Sequence, residues 1–227
     1  MTFLQLVQRL SQYCGIPGTG PSTTVGQTGE AGRLVNWTND AWRDIQTAHQ
    51  DWDWMRTTAT WPTTQAQYAY TPTQAGITSG TFGMWAPYTF RCYETASGTN
   101  SEMFLDWLPY DVWRNTYLFG ALRQSYARPT QMAIAPDKSV VLGPIPLSGF
   151  SITGDYFTAP LDMSADADVP ALPTQYQMAI VYRAMMFYGT YEAAQEVYAN
   201  GEREFAKLMA RINADRLPQV MLTGALA

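Results

Sequence analysis

Apolar residues recur at helical spacing near both ends of the chain and at strand spacing between them. Thr2 followed by Gln5 is a capping box, each side chain satisfying a free backbone donor at a helix start. Phe3, Leu6, Val7, Leu10 and Cys14 then share one helical face. Gly15 to about Gly29 is loop, rich in Gly, Pro and Thr. Leu34, Trp37, Ala41, Ile45, Ala48, Trp52 and Met55 repeat every three or four positions, which predicts a helix over about 30–55, roughly 39 Å long at 1.5 Å per residue. From 56 to 173 the pattern changes to Thr-, Tyr-, Trp- and Val-rich stretches broken by Pro and Gly, the signature of strands and turns. A hairpin is expected over Tyr88–Glu94 and Glu102–Leu108 about a Ser97–Asn100 turn. A second joins Ala133–Ala135 to Val140–Leu142 through Pro136-Asp137-Lys138, with Ser151–Phe157 as its next strand. A helical piece from Asp111, its cap, to about Gln124 lies between the two hairpins.

Helix returns in the last third. Residues 175–188 are apolar almost all round, with Arg183 the single charge, so the helix is expected to be buried on most sides. A charge there needs a partner, and another subunit is one source. Gly189 and Thr190 read as stop and cap. The final helix aligns Ala194, Val197, Tyr198, Gly201, Phe205, Leu208 and Ile212. Gly201 on that stripe either lets another helix approach closely or breaks the helix. Beyond Asp215 follows an apolar tail carrying Leu217, Val220, Met221, Leu222 and Leu226.

Composition narrows the function. The chain has 227 residues, a formal net charge of −5, 15% charged and 14% aromatic residues, against about 25% charged in ordinary soluble domains. Little charge and many amphipathic rings fit a protein that covers much of its surface with other chains. An acidic balance, with pI near 4.8, argues against gripping nucleic acid but allows a wall past which DNA slides. The first residues are interrupted by Gln5, Gln8 and Arg9, unlike a secretory signal, and no run approaches the roughly 20 apolar residues of a membrane span. The chain is therefore expected in a cytoplasm until it is assembled.

Chemistry is not expected, and neither a cofactor nor a metal is. One His and two Cys cannot build a zinc cluster, and His49 reads as structural. Cys14 and Cys92 read as packing residues. The Gly15–Pro21 loop has Pro21 where a phosphate loop carries Lys, and it follows a helix. Asp51 and Asp53 point apart on a helix. Asp162, Asp166 and Asp168 lack the Gly and closing Glu of a calcium loop. Glu94 and Glu102 could oppose each other across the first hairpin, a weak match to a glycosidase pair.

The order of turns is more telling. Arg128-Pro129, Pro136-Asp137, Val140-Val141-Leu142-Gly143-Pro144-Ile145-Pro146, Phe150-Ser151-Ile152, Asp155-Tyr156-Phe157, Ala159-Pro160-Leu161 and Asp166-Ala167-Asp168-Val169-Pro170-Ala171-Leu172-Pro173 lead into Tyr176 and the buried helix. This succession, with the opening helix, Gly-rich loop and long helix ending in Trp52-Asp53-Trp54, resembles the head-to-tail adaptor (connector) proteins of tailed bacteriophages. The stretch 71–86 matches nothing in that pattern and reads as an insertion. The resemblance implies an α+β fold: a helical bundle from 1–57 and 174–215 (N-terminal helix, long second helix, two C-terminal helices), a β-rich insertion over 58–173, and a tail over 216–227. It implies a non-enzymatic virion protein of the neck, assembled in the host cytoplasm as a homo-oligomeric ring, usually twelve-fold. Its partners would be the portal protein and a tail or second connector protein, with DNA passing without tight binding. Leu217, Val220, Met221, Leu222 and Leu226 are the candidate portal- or neighbour-binding residues, and Arg183 and Gly201 the candidate inter-subunit ones. A carbohydrate-binding tail module and a tail-tube or terminator component are the alternatives; substantial helices favour the adaptor over the latter.

Overall fold

The computed structural model describes residues 1–217. Helices α1 (Phe3–Tyr13) and α2 (Gly29–Ala48) come first, then strands β1 (Arg56–Pro62), β2 (Ala69–Tyr70), β3 (Phe82–Trp85), β4 (Arg91–Glu94), β5 (Met103–Phe104) and β6 (Asp106–Trp107). Helix α3 (Tyr110–Tyr117) precedes β7 (Tyr126–Ala127), β8 (Gln131–Ile134), β9 (Val140–Gly143), β10 (Ile145–Pro146) and β11 (Phe150–Thr158). Helices α4 (Met178–Tyr191) and α5 (Gln195–Arg216) follow. The architecture is mixed α and β. It divides into two compact units: Met1–Met55 with the chain from Pro160 onward, and Arg56–Ala159.

In the first unit the capping box is present, the Gln5 N–H donating to the Thr2 hydroxyl at 3.3 Å and the Thr2 N–H to the Gln5 carboxamide at 2.9 Å. Phe3, Leu6, Val7 and Leu10 of α1 are buried as the spacing requires. Helix α2 stops at Ala48, short of the expected Met55, because His49 adopts an extended backbone (φ −141°, ψ 146°). The apolar rhythm beyond it is buried by folding back. The Trp52 indole N–H donates to the Ile45 carbonyl at 2.9 Å, and the ring stacks on Trp54 with centroids 4.3 Å apart. At 20 residues the helix is about 30 Å long rather than 39 Å.

Helix α4 touches α1, α2 and α5, which is why nearly every face of it is apolar. It runs through Gly189 and Thr190, which neither stop nor cap it, and turns only at Ala193 (φ 54°). Gly189 is needed for proximity: a Cβ there would lie 2.8 Å from the Tyr198 N of α5. Gly201 does the reverse from α5, its would-be Cβ 2.7 Å from the Tyr182 carbonyl oxygen of α4. Residues 160–173, read from sequence with the β-rich segment, belong to this unit. Asn39 and Gln46, two turns apart on α2, hold that segment through reciprocal amide bonds. Asn39 donates to the Met163 carbonyl (2.9 Å) and accepts its N–H (3.0 Å), and Gln46 does the same with Leu161 (3.1 and 3.0 Å).

In the second unit β11 is the central strand. It pairs antiparallel with β1 from Arg56↔Phe157 to Pro62↔Ser151, and on its other side with β4 and β3. It is thus not the next strand of the β8–β9 hairpin, which lies in a separate sheet ordered β2-β9-β8-β6. The hairpin itself forms as expected, with Lys138 at φ 67° in its turn. The expected return strand 102–108 is broken at Leu105: β5 pairs with β4 in the first sheet, β6 with β8 in the second. Leu105 is buried at the switch, in one core with Trp61, Trp85, Phe90, Cys92, Met132, Leu142 and Ile152. The 71–86 stretch belongs to that core through Ala75, Ile77 and Trp85. Helix α3 starts from Pro109 with no side-chain cap from Asp111, and Gly120 (φ 70°) separates it from a 3-10 turn over Ala121–Gln124.

Candidate docking surfaces

The residues picked out as binding elements fall in different places. Leu217 closes α5 with an extended backbone and is partly exposed. Val220, Met221, Leu222 and Leu226 lie outside the described residues. Arg183 finds its partner in its own chain: its guanidinium bonds the Asp44 carboxylate at 2.8 Å and lies over the Phe187 ring at 4.8 Å. Gly201 likewise admits α4 of the same chain. Both features are accounted for within one subunit.

The acidic residues are engaged one by one. Asp162 pairs with Arg43. Asp166 accepts the Thr24 hydroxyl (2.6 Å) and N–H (2.5 Å), bonds that hold its carboxyl below the usual carboxylate range. Asp168 is lowered in the same way by the N–H groups of Ala165 and Ser164. Among the described residues no group of three or more His, Cys, Asp or Glu is placed to hold a metal ion. Glu94 accepts from the Ser97 hydroxyl while Glu102 pairs with Arg91 at 3.3 Å, so the two carboxylates do not act on a common point. Asp53 pairs with Arg216 at 3.1 Å, and the His49 ring meets Trp52 edge-on at 4.8 Å. Cys14 and Cys92 are buried; burial pushes the Cys14 thiol up to about 12 and raises Cys92 as well, against the pull of Arg128.

What remains is surface. Five of the eight Trp are buried and only Trp107 is exposed, so most of the indole content is core. The exposed large apolar residues gather instead in the second unit: Tyr88, Met103, Phe104 and Trp107 along the β5–β6 edge, and Val112, Phe119, Leu122 and Tyr126 on and after α3. Tyr88 and Trp107 touch, their ring centroids 5.8 Å apart. Charge is distributed the opposite way. Arg56–Ala159 carries six basic residues (Arg56, Arg91, Arg114, Arg123, Arg128, Lys138) and six acidic ones (Glu94, Glu102, Asp106, Asp111, Asp137, Asp155), so the net −5 resides wholly in the first unit. Exposed aromatics of this kind are the chemistry of contact surfaces. The 119–126 surface was hidden in the sequence because its apolar residues continue the apparent periodicity of α3; Gly120 was the one signal of the break.

A comparison with protein families matches residues 1–224 to the SU10 adaptor protein family. The chain belongs to that family. It is a family of phage head–tail adaptors, which gives the adaptor a structural role and a place in the virion. No curated protein matches it. No helix of the adaptor's described residues is long and apolar enough to cross a membrane.

Proposed function

We propose that the adaptor assembles as a homo-oligomeric ring that joins the portal to the tail and continues the DNA channel. In this reading the helices of the first unit form the bundle of the ring wall and the second unit is its β-rich insertion. The observation that carries the reading is the family match, which spans residues 1–224 and both units. The surfaces support it: exposed apolar area, most of it in the neutral second unit, suits subunit and neighbour contacts, and the net negative charge suits a channel to which DNA does not adhere. The tail with Leu217, Val220, Met221, Leu222 and Leu226 is the proposed anchor on the portal or on a neighbouring subunit. Native mass spectrometry and electron microscopy of the purified chain, with and without portal protein, test the reading. A many-subunit complex with ring-shaped particles is expected; a persistent monomer that binds no portal overturns it.

A further inference from the structure

The segment after α3 is a long continuous run of exposed residues in the second unit. Trp113 and Tyr117 fix the inner face of α3 against Ala133 and Val141, and β7 ties the far end to β10 through Tyr126↔Ile145. Between these anchors every residue from Phe119 to Tyr126 is exposed, Phe119 and Leu122 at 56% and 45%. Val112 on the outer face of α3 is half exposed. Two cations stand in this patch. Arg114 lies over the Phe119 ring at 5.8 Å and Arg123 follows Leu122. Neither joins an ion pair among the described residues. The patch therefore presents apolar side chains and unpaired guanidiniums together, a surface shaped for an acidic partner with an apolar recess.

The chain itself supplies that counterpart. From Ala184 to Glu202 there is no Lys or Arg, while Glu192 and Glu196 are exposed at the α4–α5 turn and neither joins an ion pair among the described residues. A cavity of about 450 Å³ opens there, lined by Gly189, Thr190, Ala193, Gln195, Tyr198 and Ala199. Tyr191 beside it is 59% exposed. Arg33 lies over the Tyr191 ring at 4.8 Å. Negative charge gathers at this turn: Glu192 and Glu30 both raise the Tyr188 hydroxyl, whose main shift comes from burial.

We infer that residues 110–127 of one subunit dock on the α4–α5 turn of a second copy, with Arg114 and Arg123 facing Glu192 and Glu196, and Phe119 and Leu122 entering the recess. The inference rests on the ring reading and specifies its subunit contact. Two different patches on one chain make a head-to-tail contact, the kind that generates rings when the rotation closes.

The test is a charge exchange read by native mass spectrometry, alone and with portal protein. Arg114→Glu/Arg123→Glu and Glu192→Arg/Glu196→Arg variants are each expected to lose the many-subunit species that the wild type forms. An equimolar mixture of the two restores it, because each unlike contact is again complementary. Full assembly by either variant alone overturns the inference, and so does a mixture that stays unassembled. A wild type that never assembles overturns the ring reading itself and this contact with it. All four positions are exposed, and near-UV circular dichroism checks that each variant is folded. Leu122→Ser, which changes no charge, is expected to weaken assembly independently, and unchanged assembly by it also counts against the contact.

Discussion

Gly201→Ala pits two opposing effects against each other. In a helix interior Ala is favoured over Gly by about 1 kcal/mol, so in isolation the substitution stabilises α5. In the folded chain the new Cβ would lie 2.7 Å from the Tyr182 carbonyl oxygen, 3.1 Å from the Met185 Cβ and 3.3 Å from the Met186 Cγ. The first contact is roughly 0.7 Å short of ordinary van der Waals separation, and its partner is backbone, which cannot rotate away. Helices α4 and α5 must move apart, and overpacking of this kind costs about 1–3 kcal/mol. The net expectation is a loss of about 1 kcal/mol. Urea denaturation followed by helical circular dichroism reads it as a fall in midpoint of about 0.4 M at unchanged slope, for a slope near 2.5 kcal/mol/M. Ala206→Gly on the exposed side of α5 is the control, expected to lose about 1 kcal/mol from propensity alone. If Gly201→Ala raises the midpoint by as much as Ala206→Gly lowers it, the close approach of the two helices is refuted.

Four further outcomes are expected. Asp166 and Asp168 have lowered pKa values, so their contribution to stability is complete above the unfolded carboxylate range near 4 and is lost as pH falls through the lower folded values; the thermal midpoint falls as pH is taken below about 4, and it falls less in Asp166→Asn/Asp168→Asn. Cys14 and Cys92 resist a thiol-reactive dye at about pH 8 and react in urea, since burial raises both; rapid reaction of the native chain contradicts their placement. Duplex DNA binds weakly and only at low salt, measured by fluorescence anisotropy; tight binding at physiological salt contradicts this, and Arg114 and Arg123 rather than Arg128, which donates to the Cys92 and Ser101 carbonyls, are where to look. Deletion of 217–227 leaves helical circular dichroism near normal but weakens docking to portal or ring formation, each large apolar side chain forfeiting up to roughly 1.5–3 kcal/mol of burial; a truncated monomer that unfolds assigns the tail to the core instead.

Local chemistry was legible in the sequence wherever neighbours along the chain decide the outcome. Thr2 and Gln5 marked a real cap, and Pro136-Asp137-Lys138 a real turn, because both devices are complete within a few residues. Decisions taken by distant parts of the chain were not legible. Trp52 continued the helical rhythm of α2, yet its indole turns back on the Ile45 carbonyl. Gly189 looked like a stop signal, but Tyr198 of a later helix requires the missing side chain. Leu105 sits in an apparently uniform strand whose two halves answer to partners in different sheets. Arg183 demanded a carboxylate, and nothing in its own helix could reveal that Asp44 provides it. The run from Phe119 to Gln124 is the opposite case, since the local Gly120, at φ 70°, marks the break that the apolar rhythm hides.

The ladder between β1 and β11 has a consequence for how the chain reaches its native state. The second unit begins at Arg56 and ends at Ala159, and Arg56 is opposite Phe157 in that ladder. Its entry and exit are therefore clasped together by its own sheet. Before the clasp forms, bringing the end of α2 to the start of α4 means closing a loop of roughly 130 residues; afterwards the effective loop is about 30. With closure entropy growing as the logarithm of length, the difference is about 1.3 kcal/mol. Folding of the insert thus shortens the chain path between the outer helices about fourfold, and a nick or slip in the β1–β11 pairing would carry a cost to helices that contain none of its residues.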